Sequence, residues 1–178
     1  TSEERSHWLP IKKVEYATSM KPSNSTSTLT GSFPIMNSRD DINNLVHSYC
    51  DRVCNNDQEA WLDLWTEDGV WNIGRGPVHG RNEIRAAMAT AMDLFESVIQ
   101  LAFNGTATTD EAAGEGRWYF SEFAKTKSGK TLFYLGYYDD TYRCVDDEWK
   151  FASRTLTWLY QGPPDLSGVF GPPAGYSS

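Results

Sequence analysis

The stretch "TLFYLGYYDDTYRCVDDEWKFASRTLTWLYQ", residues 131–161, decides the fold. It reads as two long strands rich in aromatic and β-branched residues, broken at the acidic "DDE" of residues 146–148. In the first strand Tyr134, Tyr138 and Tyr142 share one face, and Phe133, Leu135 and Tyr137 share the other. A sheet with one buried face alternates apolar with polar residues, whereas here both faces are apolar. One face is expected to pack on helices and line a pocket, and the other to meet a second subunit, which predicts a homo-oligomer. A three-residue turn centred on Asp147 sets residue i opposite residue 294 minus i, so that Asp140 faces Arg154. A two-residue turn would send the two to opposite faces.

Two more strands precede this pair, "SVIQLAFNGTATT" (97–109) and "GEGRWYFSEFAKT" (114–126), with a turn at "KSGK" (127–130). Upstream the periodicity becomes helical. In "NSRDDINNLVHSYCDRV" (37–53), Ile42, Leu45, Val46, Tyr49 and Val53 recur at helical spacing, with Ser38 and Asp41 as a capping box. Asn55 and Asn56 end that helix. Asp57 caps a second within "DQEAWLDLWTEDG" (57–69), stopped by Gly69. "VWNI" (70–73) is a short strand and "GRGPVHGR" (74–81) a loop. A third helix in "NEIRAAMATAMDLFES" (82–97) sets Ile84, Ala87, Met88, Ala91, Met92 and Phe95 on one face. Three helices followed by a meander predict an α+β fold, a curved antiparallel sheet with helices on one side. Residues 1–37, with the Ser/Thr-rich "MKPSNSTSTLTGS" (20–32), are expected to be an extended or disordered arm. Residues 38–162 form the domain, and residues 163–178 a Pro/Gly-rich tail without helix.

A chain of 178 residues with net charge -8 suits one domain and argues against nucleic acid or an anionic membrane surface as partner. It has no apolar run near the ~20 residues of a membrane span and no signal-type apolar segment near its start. Three cysteines are an odd number, and Cys50 and Cys54 lie on consecutive helical turns. They read as free thiols in a reducing compartment, so the cytoplasm is expected. His7, His47 and His79 make no ligand pattern, so no metal is expected. No phosphate loop, nucleophile elbow or zinc helix is present, and no cofactor is expected.

Several strings resemble one family. "INNLVHSYCDRVCNNDQEAWLDLWTEDGVWNIG" (42–74), "HGRNEIRAAM" (79–88), "GRWYF" (116–120), "YYDDTY" (137–142) and "DEWKFASR" (147–154) are similar to SnoaL-like proteins. This is the superfamily of scytalone dehydratase, ketosteroid isomerase, bile-acid dehydratase and hexachlorocyclohexane dehydrochlorinase. The likeness runs from about Asp40 to Gln161. It implies a cone in which three N-terminal helices and the bent sheet enclose one apolar pocket. It also implies cofactor-free chemistry that moves protons or eliminates water or halide, and a dimer or trimer.

Dehydratases and dehydrochlorinases of the family use a His–Asp pair, and this chain departs from it. Cys54 falls at the aspartate position and Gln100 at the histidine position, and an amide is no general base. The isomerase's base position falls near Ile73. Other matches hold. Tyr49 falls on a hydrogen-bond-donating tyrosine, Asp140 on a strand acid, Arg154 on a pocket arginine, Trp71 on a pocket tryptophan and Asn104 on a polar position. The resemblance thus implies Tyr49, Gln100, Asp140 and Arg154 as catalytic residues. Cys54, Trp71, Asn104, Trp118 and Tyr138 would be the substrate-binding wall. Tyr49 and Gln100 would polarise a carbonyl or leaving group, and Asp140, steered by Arg154, would carry the proton. The expected function is a lyase or isomerase acting on a small hydrophobic molecule, cyclic in one reading. The alternative is a non-catalytic ligand-binding or assembly module on the same fold.

Overall fold

The computed structural model describes residues 38–171, the side chain of Ser38 excepted. The expected arm, the Ser38 cap and the last seven residues of the tail lie outside the described residues. The described residues form three helices, α1 (Ser38–Asn55), α2 (Gln58–Leu62) and α3 (Gly80–Met92). Seven strands form one sheet: β1 (Trp65–Asn72), β2 (Pro77–His79), β3 (Phe95–Thr109), β4 (Ala113–Thr126), β5 (Thr131–Val145), β6 (Glu148–Gly162) and β7 (Val169–Phe170). The sheet order is β2-β1-β6-β5-β4-β3, with β7 added to β6. Every pairing is antiparallel except β1 with β6. The result is an α+β fold with a curved, open sheet.

The apolar stripe of α1 buries Ile42, Leu45, Val46, Tyr49 and Val53. The helix stops where Asn56 takes a left-handed φ of 53°. Asp57 caps α2, its carboxylate accepting from the Ala60 N–H at 3.2 Å. The second helix is shorter than its sequence suggests, because from Trp65 the chain is strand. Trp65 is fully buried and lies beside Phe151 of β6, ring centroids 5.3 Å apart. Docking two large side chains on the sheet outweighs helix propensity there. β2 replaces the expected loop, and Phe95 begins β3 instead of extending α3.

The β5–β6 hairpin also corrects its predicted turn. The loop has two residues, Asp146 and Asp147, both left-handed (φ 51° and 64°), the conformation that tight hairpins favour. Close to the turn residue i therefore faces residue 293 minus i, as in Tyr142 with Phe151. Ala152 is then skipped, and beyond it Asp140 faces Arg154. This bulge keeps Trp149 and Phe151 on the core face together with Arg154, Leu156 and Trp158. A second bulge at Leu159 turns Tyr160 to the other face. There the tail covers it: its hydroxyl donates to the Pro163 carbonyl at 2.6 Å, accepts from Gly168 N–H at 2.9 Å, and the Phe170 ring lies 4.7 Å away.

Candidate functional site

The core face of β5 and β6 carries an ion pair with no solvent exposure. Arg154 Nε donates to Asp140 Oδ1 at 2.8 Å and its Nη2 to Oδ2 at 2.7 Å. The Tyr142 hydroxyl donates to Oδ2 at 2.8 Å and itself accepts from Trp118 Nε1 at 2.8 Å. The rings of Tyr49, Tyr138 and Phe151 lie 4.1–4.2 Å from the guanidinium carbon. Burial works against the charge on Arg154, but the Asp140 carboxylate more than offsets it and the guanidinium stays protonated. Burial also pushes the Tyr49, Tyr138 and Tyr142 phenols up, so all three remain neutral donors. Arg154 Nη1 is buried with no hydrogen-bond partner among the described residues.

A second polar group lies beside the first. Gln100 on β3 pairs with Glu122 on β4, and its Nε2 donates to Glu122 Oε2 at 2.7 Å and to the Tyr138 hydroxyl at 3.2 Å. Gln100 Oε1 is buried and unpartnered among the described residues. Burial pushes the Glu122 carboxyl above the usual range, only partly offset by the Gln100 bond. The backbone of Gln100 turns the other way, to α1. Its N–H donates to Cys54 Sγ at 3.1 Å, and the thiol lies 3.4 Å from its carbonyl. Cys54 thus fastens α1 to a sheet edge.

The structure brings together Tyr49, Gln100, Tyr138, Asp140 and Arg154, with Trp118 joined through Tyr142. Trp71 is buried beside Arg154 in the β1–β6 register. Cys54 is exposed and its hydrogen bonds are to the Gln100 backbone, and Asn104 is exposed where β3 is irregular. Asp140, expected to carry the proton, has both oxygens committed to Arg154 and Tyr142, which suits an anchor better than a base. Sequence reasoning missed Glu122 and Tyr142. Parity along β4 carried the signal for Glu122, which alternates with Trp118, Phe120 and Ala124 on the core face.

Close packing makes room for this network. A Cβ on Gly105 would come within 2.3 Å of the Trp118 ring, and one on Gly136 within 2.8 Å of Phe120. These side chains pack into the core between helices and sheet. A groove of about 560 Å³ opens on the opposite sheet face, lined by Thr106, Thr108, Arg117, Asp139, Thr141 and Thr155. There Arg117 and Asp139 form a two-point ion pair at 2.6 and 2.9 Å. The same face exposes Ile99, Leu101, Phe103 and Phe123. Among the described residues, no helix is long and apolar enough to cross a membrane.

The fold is shared with solved proteins. A provisionally assigned scytalone dehydratase from Novosphingobium aromaticivorans is 19% identical, with TM-score 0.68 over 78% of this chain and 94% of its own. A hexachlorocyclohexane dehydrochlorinase from Novosphingobium barchaimii is 18% identical, with TM-score 0.66 over 76% and 94%. A provisionally assigned aromatic ring hydroxylase from Novosphingobium aromaticivorans is 26% identical, with TM-score 0.66 over 74% and 92%. No curated protein matches. The SnoaL-like domain family matches residues 34–155, more than half of the sequence, and the chain belongs to that family.

Proposed function

We propose that this protein is a cofactor-free lyase or isomerase that moves a proton on a small hydrophobic molecule. The observation that carries this reading is the wholly buried Asp140–Arg154 pair, with one buried guanidinium nitrogen unpartnered among the described residues. A buried ion pair is a poor stabiliser compared with packed apolar side chains. A fixed cation with a spare donor, walled by aromatic rings, instead suits negative charge that develops during reaction. Tyr49 and Tyr138 form the walls, and Asp140 holds Arg154 in place. The solved dehydratase-like and dehydrochlorinase proteins of this fold are consistent with such chemistry. The free cysteines suit work in the cytoplasm.

The second reading, a ligand-binding or assembly module, is favoured by the exposed Ile99, Leu101, Phe103 and Phe123. On either reading we place contacts with further copies of the chain, as dimer or trimer, on that face.

Proton exchange in D2O, followed by NMR, separates the two. The probe is 2-tetralone, a small ketone with acidic C–H bonds. Wild-type protein is expected to accelerate exchange over buffer, and Arg154→Met to lose about 100-fold of that gain. No acceleration with this ketone, nor elimination from a β-hydroxyketone or an alkyl halide, would favour the second reading.

A further inference from the structure

The missing histidine leaves the site without an obvious base, and the structure supplies one at a position the sequence resemblance does not mark. We infer that Glu122 is the proton-transferring group of this site and that Gln100 is its positioning residue. The inference rests on the lyase or isomerase reading above.

Four observations converge. Glu122 lies on the core face of β4, in the row that continues through Phe120 and Trp118 toward the ion pair. No lysine, arginine or histidine among the described residues pairs with it, and its only hydrogen-bond partner there is Gln100. Its Oε2 is held at 2.7 Å, while Oε1 has no partner among the described residues and is free to meet a substrate. Asp140, by contrast, is saturated by Arg154 and Tyr142.

The groups around Glu122 fit the role. Tyr49 and Cys50 of α1, and Tyr134 and Tyr138 of β5, are the titratable neighbours whose charges it influences, and burial keeps all four protonated. None of them competes as a base. Arg75 acts on Tyr134 and Arg154 on Tyr49. Burial raises the Glu122 carboxyl, which brings a weak base nearer the strength that proton abstraction at neutral pH needs. Gln100 can hold both protonation states: its amide N–H₂ serves the carboxylate, and its carbonyl, after a flip, serves the acid. The Tyr138 hydroxyl, which also accepts from Gln100, has its ring against Arg154, so acid–base group and cation flank one aromatic wall.

The step balances without a further reagent. Glu122 Oε1 takes a proton from substrate carbon, and the C–H electron pair moves into the substrate. In isomerisation that charge gathers on an oxygen facing Arg154 Nη1, and Glu122 returns the proton at another carbon. In elimination the pair expels the leaving group, and Glu122 later releases its proton to water.

The test uses a turnover-independent probe first. Phenyldiazomethane, small and apolar, esterifies protonated carboxyls: the acid proton passes to the diazo carbon, N2 departs, and the carboxylate oxygen bonds to that carbon. As pH is raised from 4 to 7, peptide mass spectrometry is expected to find the benzyl ester persisting at Glu122 to higher pH than at exposed acids. Labelling of Glu122 that fades together with that of the surface acids overturns the inference. The 2-tetralone exchange assay follows. Glu122→Gln is expected to lose about 100-fold or more of the acceleration, while Glu122→Asp retains part of it and its dependence on pH. Acceleration kept in a folded Glu122→Gln protein overturns the role of Glu122 and leaves the lyase or isomerase reading standing. A wild-type protein that labels at Glu122 but accelerates nothing overturns both.

Discussion

Asp140 and Arg154 meet although the turn between their strands is one residue too short to pair them in an unbroken ladder. The Ala152 bulge supplies the missing residue. Without it Asp140 would face Ser153, and the guanidinium would leave the core. The local break in the ladder is therefore what assembles the buried pair.

That pair should be costly to break and cheaper to remove. Asp140→Leu alone or Arg154→Met alone leaves one charge buried, and each is expected to lose about 3–5 kcal/mol in urea unfolding. The double variant should lose clearly less than the sum. Strict additivity would mean the two residues are not coupled as described.

Gly105→Ala tests the packing beneath the site. A Cβ there meets the Trp118 ring and the Arg117 carbonyl, at 2.3 and 2.6 Å. Overpacking of this kind costs about 1–3 kcal/mol. Thermal unfolding should show the loss, and tryptophan fluorescence should shift as Trp118 moves off Tyr142.

Glu122 links stability to pH. Its carboxyl is raised in the folded state, so its contribution is present below the unfolded-state value and is lost as pH rises through the folded one. The stability of the wild type relative to Glu122→Gln should fall across that window, read from paired denaturation curves. A flat difference would mean that the Glu122 carboxyl is not desolvated on folding.

Thiol labelling maps the inner and outer sides of α1. Cys54 is exposed, whereas burial pushes Cys50 up to about 12. At pH 8 N-ethylmaleimide should modify Cys54 in the folded protein and Cys50 only on unfolding. Equal rates would show that α1 does not pack as described.

The exposed sheet face predicts self-association. Leu101→Asp with Phe103→Asp should shift the protein toward monomer in light scattering, with circular dichroism unchanged. A wild-type protein that is monomeric at high concentration would refute the contact we place there.

Much of this was legible in the chain. The aromatic-rich strands and the polar turns gave the meander, and one correct pairing, Asp140 with Arg154, came from counting across the turn. The count was right because two departures cancelled, a shorter loop and a bulge. The inward spacing of Trp149, Phe151, Arg154, Leu156 and Trp158 changes parity at Ala152, and that change is the sign of the bulge. The end of α2 was not legible, because Trp65 is strand only by virtue of the distant Phe151. Glu122 was overlooked for a similar reason: its significance depends on Gln100, a cross-strand neighbour 22 positions away.

The contact between Cys54 and Gln100 has a further consequence. β3 is a terminal strand of fifteen residues with Ile99, Leu101 and Phe103 standing exposed along it. Such a strand is a template for cross-β growth wherever its backbone is bare. The Cys54 thiol occupies both backbone groups of Gln100, so α1 covers the edge at that position. Variants that loosen α1 should aggregate before they unfold.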